Sequence, residues 1–253
     1  AFEATDNTNP GREAYALVLE GNFNYRMTSI ERLNGWQHPH ILTLLGHGSV
    51  YLTSQNKAHQ VIVFDRPHGP SLSEIVAIKR ITQEHIIKDV IIEPLSKALG
   101  MFKEKGIQHG CINPKNIFIK DTLVLGECVS EPPGLSQDYI YEPVERMMCD
   151  PLSKGIGNEK IDVYAIGILA YDMVYGLDHL RRFPKEALIE KILNEGIYNV
   201  LARNRDFPDG LQDFFRGIFC DNPAERWGIE QLHLWVNGKR FNMINPSGSH
   251  DAV

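Results

Sequence analysis

Apolar residues recur every three or four positions between residues 72 and 106, where Ile86, Val90, Ile91, Leu95, Leu99 and Phe102 make one stripe and Gly106 supplies a stop. That spacing predicts a long core helix. A shorter helix is predicted from Thr28 to Trp36, with Ile30, Leu33 and Trp36 on one face. Earlier in the chain the pattern is that of strands. Ala14 to Leu19 is an apolar run closed by Gly21-Asn22, and Asp6-Asn7-Thr8-Asn9-Pro10-Gly11-Arg12 before it reads as a turn between two short strands. Two further strands, Thr43 to Thr53 and Gln60 to Phe64, are joined by a polar turn. Beyond residue 160 the pattern is helical again, over Ile161 to Leu169, Lys185 to Ala202, Leu211 to Cys220 and Glu230 to Val236. Strands therefore come first and helices later.

Composition narrows the class. With 253 residues, 43% apolar and 23% charged, the chain has the material for a real core, which excludes disorder. The net charge of -6, from 26 basic and 32 acidic residues, gives no basic footprint for nucleic acid. Cysteines 111, 128, 149 and 220 show no C-x-x-C spacing, which points to reduced thiols, a cytoplasmic setting and no zinc. The longest apolar run, Ile161 to Gly176, is broken by Asp162 and Asp172 and is too short to span a bilayer, so no membrane insertion is expected. Residues from Asn242 onward read as a linker. The chain begins without Met, so it is expected to be part of something longer.

His109-Gly110-Cys111-Ile112-Asn113-Pro114-Lys115-Asn116 followed by Ile117-Phe118-Ile119 resembles the catalytic loop of protein kinases, His-Arg-Asp-x-Lys-Pro-x-Asn before a short strand. Other stretches resemble the same family in the same order. His38-Pro39-His40-Ile41-Leu42 is similar to the turn after the regulatory helix, and Val61 to Leu72 to the hinge, with Phe64 at the gatekeeper position and Pro67 where a backbone N–H serves the adenine. Tyr141-Glu142-Pro143-Val144-Glu145 is similar to the end of the activation segment. Ile161 to Leu169 resembles the central large-lobe helix, and Asp221 to Arg226 the Asp-Pro-x-x-Arg motif. The resemblance implies an α+β, two-lobed protein-kinase-like fold. A reduced antiparallel-sheet small lobe would span residues 1–66, a mainly helical large lobe 67–241, and a linker-like tail 242–253. It also implies structural roles for His109, for Asp162 on the loop backbone, and for a Glu145–Arg226 ion pair inside the large lobe.

The chemistry of that family is mostly missing at the matching positions. Val18 stands for the strand lysine, Gly110 for the loop arginine, Cys111 for the catalytic aspartate and Asn113 for the loop lysine. Glu127, Cys128 and Val129 stand for the Asp-Phe-Gly metal site. The glutamate partner of the strand lysine falls near Ser29, and Glu31 beside it is assigned to the surface. The glycine-rich loop, which belongs on the turn before Phe2, is expected either to have been trimmed away or never to have been there. Phosphoryl transfer needs a base, cations on the phosphates and held metal ions, and only Asn116 and Glu127 remain as candidate ligands. Phe64 and Pro67 further oppose adenine, since proline has no N–H to donate. With Gly110 beside the loop, phosphorylation of Ser130, Ser136, Tyr139 or Tyr141 is not expected to activate.

The expectation is a pseudokinase: catalytically inactive, without cofactor or metal, acting as a scaffolding or regulatory module for protein partners. The strand-turn-strand opening suggests a bacterial serine/threonine kinase relative. The alternative is residual nucleotide binding or weak activity, with Asn116 and Glu127 on the metal. A Cys–His nucleophile built from Cys111, Cys128 and His109 is the other enzymatic reading, against which stand buried, inert thiols.

Overall fold

Alternating apolar residues need a partner sheet and a covering helix, and the first part of the chain supplies both. The computed structural model describes residues 1–7, 9–19, 25–132, 134–203 and 206–241. The strand stop at Gly21-Asn22, the tail 242–253 and Thr8 of the expected turn lie outside the described residues. Strands β1 (Phe2–Thr5), β2 (Glu13–Val18), β3 (Leu44–Leu52) and β4 (Lys57–Asp65) form an antiparallel sheet in the order β1-β2-β4-β3. Helix α1 (Met27–Leu33) buries Ile30 and Leu33 in a core shared with Leu19, Leu44, Ile62 and Phe64.

Helix α2 (Leu72–Ile78) starts at a capping box in which Ser71 and Glu74 exchange side-chain-to-backbone bonds. It does not run on to Gly106 as the stripe predicts. Residues 79–83 leave the helix because tertiary bonds outcompete its ladder: Ile81 N–H donates to Met173 O, and the Arg80 guanidinium to Asp172 O. Helix then resumes as α3 (Glu84–Ile86), a π-helical stretch (Ile87–Ile92) and α4 (Glu93–Glu104). The wider π turn adds a residue and rotates the buried face. Ile87, Ile91 and Ile92 are buried, whereas Val90 of the predicted stripe is 41% exposed.

The short strands β5 (Ile117–Ile119) and β6 (Leu123–Leu125) pair with each other, and β6 is tied to the N-terminal part by Leu42 N–H to Leu125 O. Helices α5 (Val144–Met147), α6 (Glu159–Tyr175), α7 (Asp178–Arg181), α8 (Lys185–Glu195), α9 (Ile197–Ala202), α10 (Gln212–Ile218) and α11 (Ile229–Val236) complete the structure. Every residue of α6 from Ile161 to Met173 is buried, Asp162 and Asp172 included. Among the described residues no helix is long and apolar enough to cross a membrane. The run Lys185 to Ala202 is split into α8 and α9 at Gly196, which takes a positive φ of 76°. The architecture is α+β, with an antiparallel sheet in the N-terminal part and a helical C-terminal part.

Candidate functional site

The loop at His109 is held from beneath by α6. Asp162 is completely buried and accepts from His109 N–H (2.9 Å) and Gly110 N–H (2.7 Å). Burial pushes its carboxyl up to about 6 despite those two bonds. His109 is fully buried against the edge of Phe102; its Nδ1 accepts from Cys111 N–H (3.2 Å), which leaves Nε2–H to donate to Gly126 O (3.1 Å). Burial lowers the imidazole to about 3, so it is neutral and braces the backbone.

Gly110 takes φ +67°, a conformation that costs a glycine little. The space beside it holds a guanidinium from elsewhere, that of Arg26. Arg26 immediately precedes α1, is only 7% exposed, and donates to His109 O (2.6 Å), Cys128 O (2.6 Å) and Gln108 O. One side chain thus ties the start of α1 to the loop and to the strand exit after β6. Nothing in the sequence around Arg26 marks it for this role.

The Cys111 thiol donates to Ser136 O (3.4 Å) and faces the Asn113 carboxamide (3.7 Å), while burial and the nearby Glu127 push it up to about 12. Asn113 also caps the turn at Lys115 N–H (3.0 Å). The Cys128 thiol is buried and likewise raised by desolvation, and Val129 is wholly inside the core. Neutral thiols of this kind are poor nucleophiles.

The two candidate metal ligands come together; the Glu127 carboxylate is engaged internally, and Asn116 is held through its Nδ2. Asn116 Nδ2 donates to Cys111 O (2.9 Å) and Glu127 O (2.8 Å). Glu127 caps the next turn, accepting from Val129 N–H (2.7 Å), Ser130 N–H (2.9 Å) and the Ser130 hydroxyl. Among the described residues no cluster of three His, Cys, Asp or Glu side chains is placed to hold a metal ion.

The sheet register sets which β2 side chains share a face. β2 pairs with β4 so that Tyr15 opposes Phe64, Leu17 opposes Ile62 and Val18 opposes Val61. Tyr15, Leu17 and Leu19 pack on the core with Ile62 and Phe64, so the alternation turns Val18 to the opposite face. Tyr15 stacks on Phe64 with centroids 5.7 Å apart, and burial beside Glu127 raises its phenol. Phe64 is therefore a buried core residue.

The hinge is clamped. Arg12 grips the Asp65 carboxylate with Nε (2.5 Å) and a terminal nitrogen (2.7 Å). Asp65 N–H donates to Thr43 O (3.0 Å) and Arg66 N–H to Glu13 O (2.9 Å), and Pro67 has none. Pro67 lines a cavity of about 750 Å³ that it shares with Arg12, His38, Thr43 and Lys120.

Further out, Arg226 meets Glu145 through both oxygens (2.5 and 3.3 Å) and lies over the Tyr164 ring at 5.4 Å. Arg226 is buried, but the Glu145 side chain is 37% exposed, so the pair sits at the edge of the helical part rather than well inside it. A deeper ion pair went unread in the sequence: Glu142 with Lys154, their side chains 1% and 2% exposed, flanked by Arg146. Ser136 Oγ donates to Gly110 O (3.1 Å) and Tyr141 OH to Asp172 (2.9 Å). Ser29 is buried and Glu31 exposed.

Against known proteins, the chain is 26% identical over 235 residues to human NUAK family SNF1-like kinase 1, covering 88% of this chain and 33% of that protein. It is 25% identical over 225 residues to serine/threonine-protein kinase ULK3 of Xenopus laevis, covering 83% and 45%. Mouse Aurora kinase B is 21% identical over 217 residues, covering 83% and 60%. The chain thus spans between a third and three-fifths of the length of these relatives. No protein-family model matches it. Among solved structures, Rad53 1-466 in complex with AMP-PNP superposes with a TM-score of 0.71 at 17% identity, over 92% of this chain and 60% of that one. These findings correct the expectation that the chain is not an enzyme. The proteins it resembles are named as kinases, and catalytic inactivity is dropped as a reading of the chain. In sheet order, loop placement and overall superposition, this protein has a protein-kinase-like fold.

Proposed function

We propose that the chain is a kinase-like module that works by binding other proteins, in a scaffolding or regulatory role, and that it holds ATP weakly or not at all. The observation that carries this reading is the hinge. Adenine is gripped by main-chain donors, and across Asp65, Arg66 and Pro67 two N–H groups are bonded within the protein and the third does not exist. The rest of the cleft supports it. Val18 offers no cation to phosphate, the Glu127 carboxylate is engaged with backbone N–H groups, and Tyr15 fills space against Phe64.

In this reading the division falls at residues 66 and 67, the setting is cytoplasmic, and the partners are proteins. Gly110, Cys111, Asn113, Cys128 and Val129 stand where kinases carry their loop and metal-binding chemistry, while His109, Asp162, Glu145 and Arg226 keep the frame. The test is thermal unfolding with millimolar ATP and magnesium or manganese. Tight binding raises the midpoint by mass action. A midpoint unchanged to within about 1 °C is expected; a rise of about 5 °C would overturn the reading.

A further inference from the structure

Four buried side-chain atoms have no hydrogen-bond partner among the described residues and belong to residues that line one small cavity: Arg26 Nε, Gln108 Oε1, Gln137 Oε1 and Arg146 Nε. The cavity measures about 10 Å³ and is closed on other sides by Glu142 and by Ile161, Asp162 and Ala165 of α6. Ile156 is the only exposed residue of its lining.

The rest of these side chains is already held. The terminal nitrogens of Arg26 donate to His109 O, Cys128 O and Gln108 O, and those of Arg146 to Lys154 O and Gly155 O. Gln137 Nε2 donates to Ile112 O (2.8 Å). The Gln108 carboxamide lies beside Gly157, whose lack of a side chain leaves it room. Arg146 Nε is 3.7 Å from Glu142 Oε1, beyond hydrogen-bond reach. None of the three anchored groups can swing its remaining atom to a new partner without breaking a bond it has.

Buried donors and acceptors left unmade are costly, so four around one space call for a common partner. Their chemistry selects it. Two N–H donors and two amide oxygens match a molecule with two lone pairs and two hydrogens. An anion would meet the two amide oxygens, with the Glu142 and Asp162 carboxylates in the same lining, and a metal ion would meet two guanidinium groups. An apolar molecule would leave all four atoms unsatisfied. The volume is that of about one water-sized sphere.

We propose that this cavity binds a single internal water molecule, which accepts from Arg26 Nε and Arg146 Nε and donates to Gln108 Oε1 and Gln137 Oε1. The water joins four segments distant in sequence: the residue before α1, the residue before the His109 loop, the stretch leading to Tyr141, and α5. Arg26 already ties α1 to the loop, and the water extends that tie to Gln137 and Arg146.

A high-resolution crystal structure of the whole chain tests the site directly. One water oxygen within about 3.2 Å of each of the four atoms is expected. Density for a larger or charged group, or side chains that pair with one another across the space, overturns the proposal. In solution, oxygen-17 relaxation dispersion of water detects internal waters that stay bound for longer than the protein takes to tumble. The double variant Gln108→Met, Gln137→Met keeps the side-chain lengths but removes both acceptors, so the dispersion amplitude should fall by one long-lived water. An unchanged amplitude overturns the proposal. Urea unfolding gives a third measurement. Each single Gln→Met change should lower the folding equilibrium constant about tenfold, and the double variant by well under about a hundredfold, because both changes lose the same water. The Gln137–Ile112 bond is lost in the single and the double variant alike and cancels from that comparison. Two losses that simply multiply would show independent glutamines and overturn the shared partner. Where the double variant fails to fold, the crystal structure of the parent decides alone.

Discussion

Replacing Arg26 by Ala should be among the most damaging single changes outside the apolar core. Its guanidinium is buried and donates to three carbonyls, those of Gln108, His109 and Cys128, so truncation strands all three acceptors where water cannot readily replace the donor. It also removes the positive charge that helps keep buried Asp162 ionised. Hydrogen bonds to a charged group contribute about 1.5–3 kcal/mol each, but three from one side chain do not add, and the native arginine carries its own desolvation cost. A net loss of about 3–5 kcal/mol follows, the range for breaking a buried charged contact. In a chain of this size that lowers the melting point by about 10 °C. Urea unfolding of the parent, Arg26→Ala and Arg26→Lys measures it. Lysine should recover only part of the loss, because one ammonium cannot span three acceptors in the way a planar fork does. Hydrogen exchange adds a local signature: amides at 108–112 and 127–130 should exchange faster in Arg26→Ala, while those of α6 change no more than global stability dictates. An Arg26→Ala midpoint within about 2 °C of the parent, with unchanged exchange in the loop, would refute the clamp.

How far the structure was legible from the chain depends on the range over which each residue is determined. Strands β2, β3 and β4 follow from short runs bounded by turn residues, and α6 from a run too apolar to be anything but core. Phase is another matter. The sheet face of Val18 depends on the β4 residue it opposes, Val61, and the pattern of β2 alone does not fix that pairing. The stripe after Glu84 shifted because the π stretch at Ile87–Ile92 inserts a residue into the helical period, which the apolar spacing alone does not mark. Arg26 and Lys154 were invisible for a different reason. Both stand in polar stretches that read as surface, and their partners are distant: carbonyls of the loop for Arg26, a carboxylate twelve positions away for Lys154. Glu127 could have been read otherwise. Its carboxylate meets the N–H groups of Val129 and Ser130 two and three positions on, a local turn-capping arrangement that needs no distant partner.

Three further outcomes are expected. Gly126→Ala should cost about 2–3 kcal/mol in urea unfolding, because an added Cβ would fall 1.9 Å from Asn116 Oδ1 and 2.9 Å from Asn116 O, leaving no room without moving the loop; a loss below about 0.5 kcal/mol would show the site more yielding than its geometry. Glu145→Ala should lose no more than about 1 kcal/mol, since that carboxylate is over a third exposed. Arg226→Ala should lose about 3 kcal/mol, because the buried guanidinium also holds Cys220 O and lies over Tyr164, and equal losses for the two would contradict the asymmetry of burial. The last concerns pH. Folding lowers His109 from 6.5 to about 3, so the unfolded chain takes up a proton that the folded one refuses; that contribution is full above pH 6.5 and is lost as pH falls towards 3. Asp162 acts oppositely: its folded value of about 6 lies above 3.8, so its contribution improves as pH falls from 6 to 3.8 and masks part of the histidine's effect in the parent alone. Since His109→Gln removes only the first, the stability gap between parent and variant should narrow steadily as pH falls from 6.5 towards 3, and a gap that stays constant with pH would refute a neutral imidazole buried beneath the loop.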